Sequence, residues 1–138
     1  MKAGDDMDCL FCRIASGELP SDKLYEDDSF IIILDAFPSS LGHALIIPKK
    51  HVDDIFELDE EEGAAMFKLV ARYAKKIKNA LNCDGLNVLQ NSGAAAGQTV
   101  FHFHMHIIPR YVEDNVNIGW KVSKPGGDSI QHFIKKLR

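Results

Sequence analysis

The longest periodic stretch of the chain covers residues 59–81. Met66, Leu69, Val70, Tyr73, Ile77 and Leu81 recur there at spacings of three and four, which gathers them on one stripe of a helix. Asp59 is placed to cap that helix, with Glu62 three residues on in a capping-box arrangement. Glu60 to Glu62 at its start and Lys75, Lys76 and Lys78 toward its end suit the helix dipole. The other apolar runs are short. Residues 23–26 and 29–35 read as a hairpin, and the β-branched Ile31-Ile32-Ile33 run suits a buried strand. Residues 43–48 predict another strand, ended by Pro48. Residues 86–90 and 100–109 predict two more. Residues 10–18 predict a short helix closing near Gly17, with Pro20 preventing its continuation. Residues 129–137 predict a terminal helix after an irregular stretch, 112–127, broken by Pro125-Gly126-Gly127. Most links between strands are too short for parallel crossovers. The expected fold is therefore α+β: an antiparallel sheet with one long helix and short flanking helices.

Composition narrows the class. The chain has 138 residues, 46% of them hydrophobic, which is enough for one domain with a proper core. Residues 1–8 are polar and acidic and predict a flexible tail ahead of a single domain over 9–138. They lack the pattern of a secretory signal. No apolar run approaches the ~18 residues of a membrane span. A net charge of −4 argues against a mainly electrostatic nucleic-acid binder. Three cysteines are too few, and odd in number, for a disulfide scaffold, so a reducing cytoplasm is the simplest compartment.

Six histidines are present, and three of them fall within five residues: Phe101-His102-Phe103-His104-Met105-His106-Ile107. On a strand this alternation puts the histidines on one face and Phe101, Phe103, Met105 and Ile107 on the other. Neighbours on a strand face are ~6.6 Å apart and the outer pair ~13 Å apart. Two adjacent histidines can share a metal, but all three reach one ion only on a strongly bent strand. The three are expected to have different tasks. A neutral imidazole is a good nucleophile near pH 7, and one whose other nitrogen is held by a carbonyl presents its lone pair outward to attack phosphorus. Directly upstream, Asn91-Ser92-Gly93-Ala94-Ala95-Ala96-Gly97-Gln98-Thr99 is a run of mostly small residues in which backbone N–H groups can approach a phosphate. At the other end of the chain, Cys9-x-x-Cys12 has zinc-knuckle spacing. A redox pair is the alternative, although the strand that precedes such a pair in thioredoxin-like folds is missing.

The segment His102-Phe103-His104-Met105-His106-Ile107-Ile108 resembles the signature of the histidine triad (HIT) family of nucleotide hydrolases and transferases. Leu34-Asp35, Gly42-His43-Ala44-Leu45-Ile46-Ile47-Pro48-Lys49-Lys50-His51 and Asn91 to Val100 follow the family's order and spacing, so the resemblance covers roughly residues 9–111. It implies that His104 is the nucleophile, that His106 contacts the scissile phosphate, and that His43 supports them. It implies that Asp35 holds the ribose hydroxyls and that Asn91, Gly97, Gln98 and Thr99 cradle the phosphates, with Thr99 placed to assist the leaving group. The implied activity is hydrolysis at the α-phosphate of nucleoside monophosphate derivatives, of the purine nucleoside phosphoramidate or AMP-conjugate kind, with no catalytic metal required. A dinucleoside polyphosphate hydrolase and a non-catalytic nucleotide-binding adaptor are the alternatives, and a zinc-binding structural module is a third.

Some members of the family, and the related galactose-1-phosphate uridylyltransferases, carry a Cys-x-x-Cys with two further histidines. The resemblance extends that set to Cys9, Cys12, His51 and His102 and implies a structural zinc. His102 then serves a metal while His104 stays free for chemistry. It also implies a homodimer, with adenosine or guanosine monophosphate derivatives as ligands. The segment after Val112, with Trp120, departs from the aligned pattern and leaves the leaving group undetermined. Cys83 reads as a packing residue, and His132 has no assigned role.

Overall fold

A computed structural model describes residues 8–138; apart from Asp8, the expected flexible tail lies outside the described residues. The elements are α1 (Leu10–Ala15), β1 (Lys23–Glu26), β2 (Phe30–Leu34), β3 (Ala44–Pro48), α2 (Glu60–Leu81), β4 (Gly85–Leu89), a 3-10 turn (Ala94–Ala96), β5 (Met105–Arg110) and α3 (Gly127–Leu137). The strands form one sheet in the order β1-β2-β3-β5-β4, and every neighbouring pair is antiparallel. The α+β expectation holds.

Asp59 caps α2 through its carboxylate, which accepts from the backbone N–H groups of Glu61 and Glu62, and Asn82 closes the helix in the left-handed conformation. The α2 stripe packs on one face of the sheet. Met66, Leu69, Val70 and Ile77 join Phe30, Ile32, Ala44, Ile46, Phe103 and Ile107 in a single core. The opposite face carries Ile31, Ile33, Leu45 and Ile47, covered by Phe11 and Ile14 of α1. The triple isoleucine is therefore buried from both sides, which explains why it shows no polar alternation. His106 pairs in register with Leu45, so it shares the face that α1 covers.

The expected strand over residues 100–109 is corrected at its start. Pairing with β3 ends at Ile46↔Met105, and residues 100–104 run as irregular chain. Two local facts account for this. Pro48 has no N–H to continue the ladder. The amide of Phe103 instead donates to the carbonyl of Val52 at 2.7 Å. The alternation fails with the ladder: His102 is fully buried, whereas Phe101, expected in the core, is 49% exposed. The first helix is also shorter than expected and ends at Ala15, with Gly17 at positive φ just beyond it.

Gly42 joins the β2–β3 loop to the sheet at φ +90, and a Cβ there would collide with the Leu81 side chain at the end of α2 and crowd Pro109. Gly42→Ala is expected to lower stability by about 1–3 kcal/mol through strain and overpacking. Gly119→Ala, where a Cβ meets nothing within 4 Å, is expected to stay within about 0.5 kcal/mol. Denaturant midpoints of the two variants measure the contrast.

Candidate active site and metal corner

His104 enters the site on the irregular segment just before β5. Its Nδ1–H donates to the carbonyl of His102 at 2.7 Å, which fixes the tautomer and leaves Nε2 with an outward lone pair. Phe11 of α1 packs edge-on against the ring, with centroids 4.9 Å apart. His106 lies alongside at 5.0 Å between centroids. A second chain of contacts sets its tautomer. The N–H of Ser39 donates to His43 Nδ1 at 2.9 Å, so neutral His43 carries its proton on Nε2. That proton faces His106 Nδ1 at 2.9 Å, which accepts it, and His106 Nε2–H is left to donate. One histidine thus offers a lone pair and its neighbour offers a proton, side by side.

Asp35 follows β2. One carboxylate oxygen accepts from the Phe37 N–H at 2.9 Å and the other lies 3.5 Å from His43 Nε2. Asp35, His104, His106 and Thr99 line one cavity of about 660 Å³ whose apolar wall includes Phe11 and Ile33. The structure therefore brings Asp35, Thr99, His104 and His106 together around one space, with His43 bonded to His106 behind it. Asn91 lines a smaller neighbouring cavity with His43 and His106. Gly97 adopts φ +94, a conformation that favours glycine, and it lies against the Asn91 amide, which a Cβ there would meet at 3.5 Å. Gln98 is buried, and its side chain accepts from the Gly93 N–H and donates to the carbonyls of Asp53 and Val100. These bonds tie the loop to Asp53 and Val100. Phe11 and the Ser39 amide were not singled out from sequence, where nothing distinguishes a helix phenylalanine or a loop serine from ordinary packing and turns.

The four sulfur and histidine candidates also converge. The Sγ atoms of Cys9 and Cys12 and the ring nitrogens of His51 and His102 lie within 4.8 Å of one another. Cys9 Sγ is 3.3 Å and Cys12 Sγ 3.4 Å from His102 Nδ1, and Cys12 Sγ is 3.2 Å from His51 Nδ1. The outer nitrogens are engaged: His102 Nε2–H donates to the Pro48 carbonyl at 2.7 Å and His51 Nε2–H to Asp53 at 2.8 Å. Both Nδ1 atoms therefore bear lone pairs, yet they face each other at 3.1 Å. Two acceptors at that separation repel unless a cation lies between them. Ordinary zinc bond lengths place ligand nitrogens about 3.3 Å apart and sulfur about 3.6 Å from nitrogen in a tetrahedron. A carbonyl and a carboxylate on the outer nitrogens are the usual support for metal-bound histidines. Cys9, Cys12, His51 and His102 thus form a group fit to hold a metal.

A family profile for the HIT domain matches residues 16–113. The chain belongs to the HIT family. Among relatives, this HIT protein is 43% identical over 115 residues to adenosine 5'-monophosphoramidase hnt1 of Schizosaccharomyces pombe, covering 83% of this chain and 84% of that one. It is 50% identical over 107 residues to adenylylsulfatase HINT3 of Arabidopsis thaliana, covering 78% of this chain and 54% of that one. Among solved structures, a HIT family member from Bacillus subtilis superposes with a TM-score of 0.87 at 38% identity, covering 94% of each chain. A zinc-bound histidine triad protein from Mycobacterium smegmatis gives 0.77 at 39% identity, covering 86% of each. Among the described residues, no helix of this HIT protein is long and apolar enough to cross a membrane.

Burial holds the site histidines neutral. His104 is pushed below its usual value by burial, against the His102 carbonyl and Asp35. His43 is lowered by burial, opposed by Asp35. His106 is pushed down from 6.5 to about 4 by burial and by its neighbours His104 and His43. Such a histidine takes up a proton in the unfolded chain at a pH where the folded chain still refuses it, so stability is lost as pH falls through this window. The unfolding free energy of this HIT protein is expected to decline from pH 6.5 toward about 4, with a smaller slope in His106→Asn. Parallel slopes in denaturant titrations of the two proteins would refute the assignment.

Proposed function

We propose that the chain is a nucleotide hydrolase acting at the α-phosphate of nucleoside monophosphate derivatives, of the purine nucleoside phosphoramidate or AMP-conjugate kind, through a nucleotidyl-His104 intermediate. One observation carries the reading: the His102 carbonyl holds His104 Nδ1–H at 2.7 Å, so the Nε2 lone pair faces the cavity that Asp35 and His106 also line. The nucleoside occupies this cavity with its base against the apolar wall and its ribose hydroxyls donating to Asp35, since a carboxylate only accepts. The α-phosphate sits between His104 and His106. His104 Nε2 forms a bond to phosphorus, the bond from phosphorus to the leaving amine breaks, and the amine departs with a proton from solvent. Water then attacks phosphorus. The new P–O bond forms, the bond to Nε2 breaks and returns its electron pair to His104, and the displaced proton goes to solvent. His106 Nε2–H donates to a phosphoryl oxygen throughout and meets charge developed in the transition state. His43 fixes the His106 tautomer. The loop from Asn91 to Thr99, bent at Gly97 and held by Gln98, surrounds the phosphate from the other side, with Thr99 lining the larger cavity beside it.

Cys9, Cys12, His51 and His102 hold a structural zinc in this reading. When bound, the ion neutralises the two thiolates and ties α1 to the end of β3. Its bearing on the site is positional, because α1 carries Phe11 and His102 supplies the carbonyl that orients His104.

His104→Ala is expected to lose turnover of adenosine 5'-phosphoramidate by more than about 1,000-fold while still binding AMP, as expected when the nucleophile itself is removed. Near-wild-type turnover would overturn the scheme. For the metal, protein purified without chelators is expected to contain one zinc per chain by elemental analysis. Cys12→Ser is expected to lose it and to unfold more than about 5 °C lower, which for a domain of this size is over about 1 kcal/mol. Zinc-free wild-type protein would exclude this role.

A further inference from the structure

His106 is a wall shared by two cavities. His104 and Asp35 line only the larger one. The second, about 370 Å³, is lined by Ser39, His43, Asn91, His106, Asn115 and Asn117 together with four aliphatic side chains. Its outer rim is built by chain that follows β5, and that chain is fixed by one clasp. Arg110 grips Asp114 through Nε at 2.8 Å and Nη2 at 3.0 Å. The same guanidinium donates to Asn87 at 2.8 Å and to the Val116 carbonyl at 2.9 Å. Asp114 in turn accepts the N–H groups of Tyr111 and Val116. A bidentate pair with its remaining lone pairs satisfied is a stiff anchor, and it presents residues 115–118 toward His106.

We propose that this second cavity receives the leaving group, that Asn115 and Asn117 determine its class, and that the class is an amine bearing a carboxamide or another neutral polar group rather than a polyphosphate. The proposal rests on the hydrolase reading above and names its leaving group. In-line displacement by His104 sends the leaving atom away from the nucleophile, across the phosphate, and His106, which faces His104 across the phosphate in that reading, is the wall the second cavity shares. Its chemistry then selects. The amides of Asn91, Asn115 and Asn117 and the hydroxyl of Ser39 each offer both donors and acceptors. No Lys or Arg is among the described residues that line it, and the nearby Arg110 is spent on Asp114, Asn87 and Val116. A polyphosphate leaving group brings several negative charges, which need cations to leave water. A neutral polar amine needs only hydrogen bonds.

The test uses three substrates: adenosine 5'-phosphoramidate, whose ammonia leaving group is too small to fill the cavity; AMP joined through nitrogen to glycinamide; and diadenosine tetraphosphate. In the wild-type protein kcat/KM for the glycinamide conjugate is expected to exceed that for diadenosine tetraphosphate by more than tenfold. In the double variant Asn115→Ala, Asn117→Ala, the ratio of kcat/KM for the conjugate to that for the phosphoramidate is expected to fall about tenfold, the usual scale for lost hydrogen bonds to a substrate group. Both side chains are exposed, so the double variant folds. Asn117→Lys is expected to raise diadenosine tetraphosphate turnover relative to the conjugate. An unchanged ratio in the double variant, or a wild-type preference for the tetraphosphate, would overturn the proposal. No turnover of the phosphoramidate itself would sink the hydrolase reading, and the proposal with it.

Discussion

Both centres of this protein hang on His102. Its ring donates Nε2–H to the Pro48 carbonyl, turning Nδ1 toward the two cysteines and His51. Its own carbonyl accepts Nδ1–H of His104, turning that ring's Nε2 toward the larger cavity. A carbonyl within a sheet ladder already has a backbone partner; this one is available because the chain has left the ladder. The departure traces to Pro48, which lacks the N–H that would have continued pairing with β5, and to Val52, which captures the Phe103 amide instead. A single fully buried residue therefore settles the tautomers of a metal corner and of a candidate nucleophile two positions away.

This arrangement marks where the sequence stops being legible. The α2 stripe, the Asp59 cap and the doubly buried isoleucines follow from periodicity, because each is decided within a few residues or by one face against one core. The HIT resemblance named the site residues, and the structure brings most of them around one cavity or into one sulfur and histidine cluster. Alternation failed over residues 100–104. It assigns faces only while a ladder persists, and the loss of the ladder is caused by a proline more than fifty residues away. Phe101 was accordingly expected in the core and lies half exposed, while His102, expected on the polar face, is the more buried of the two. Gln98 is a similar case. A glutamine in a small-residue loop looks available to a ligand, and only the positions of Gly93, Asp53 and Val100 reveal that its amide is already fully used.

The Arg110 and Asp114 pair illustrates a different limit. Nothing in sequence marks the two residues as partners, because they fall where a strand gives way to irregular chain. In the structure no helix is present there, and the pair closes an irregular turn whose backbone amides and carbonyl it also satisfies. The same two residues thus shape a cavity rim.

The two sides of His106 are built from material of different stability. The larger cavity is built from α1, β2, β3 and β5, all packed into the buried cores. The other side is closed by a segment that ends in chain with almost no buried contacts: Val112 is 85% exposed, Trp120 88%, and α3 buries no residue. Local opening follows such differences, so the chain beyond the Arg110 and Asp114 clasp can loosen without disturbing the histidines. Substitutions in the core elements alter stability and chemistry together, because His104 and His106 are oriented by the same backbone that forms the sheet. Substitutions from residue 119 onward leave that backbone untouched, whereas Asp114 is bound to Arg110 of β5. The chain therefore separates physically the packed elements that orient His104 from the less packed segment that closes the second cavity, and among the described residues His106 is the side chain that lines both cavities.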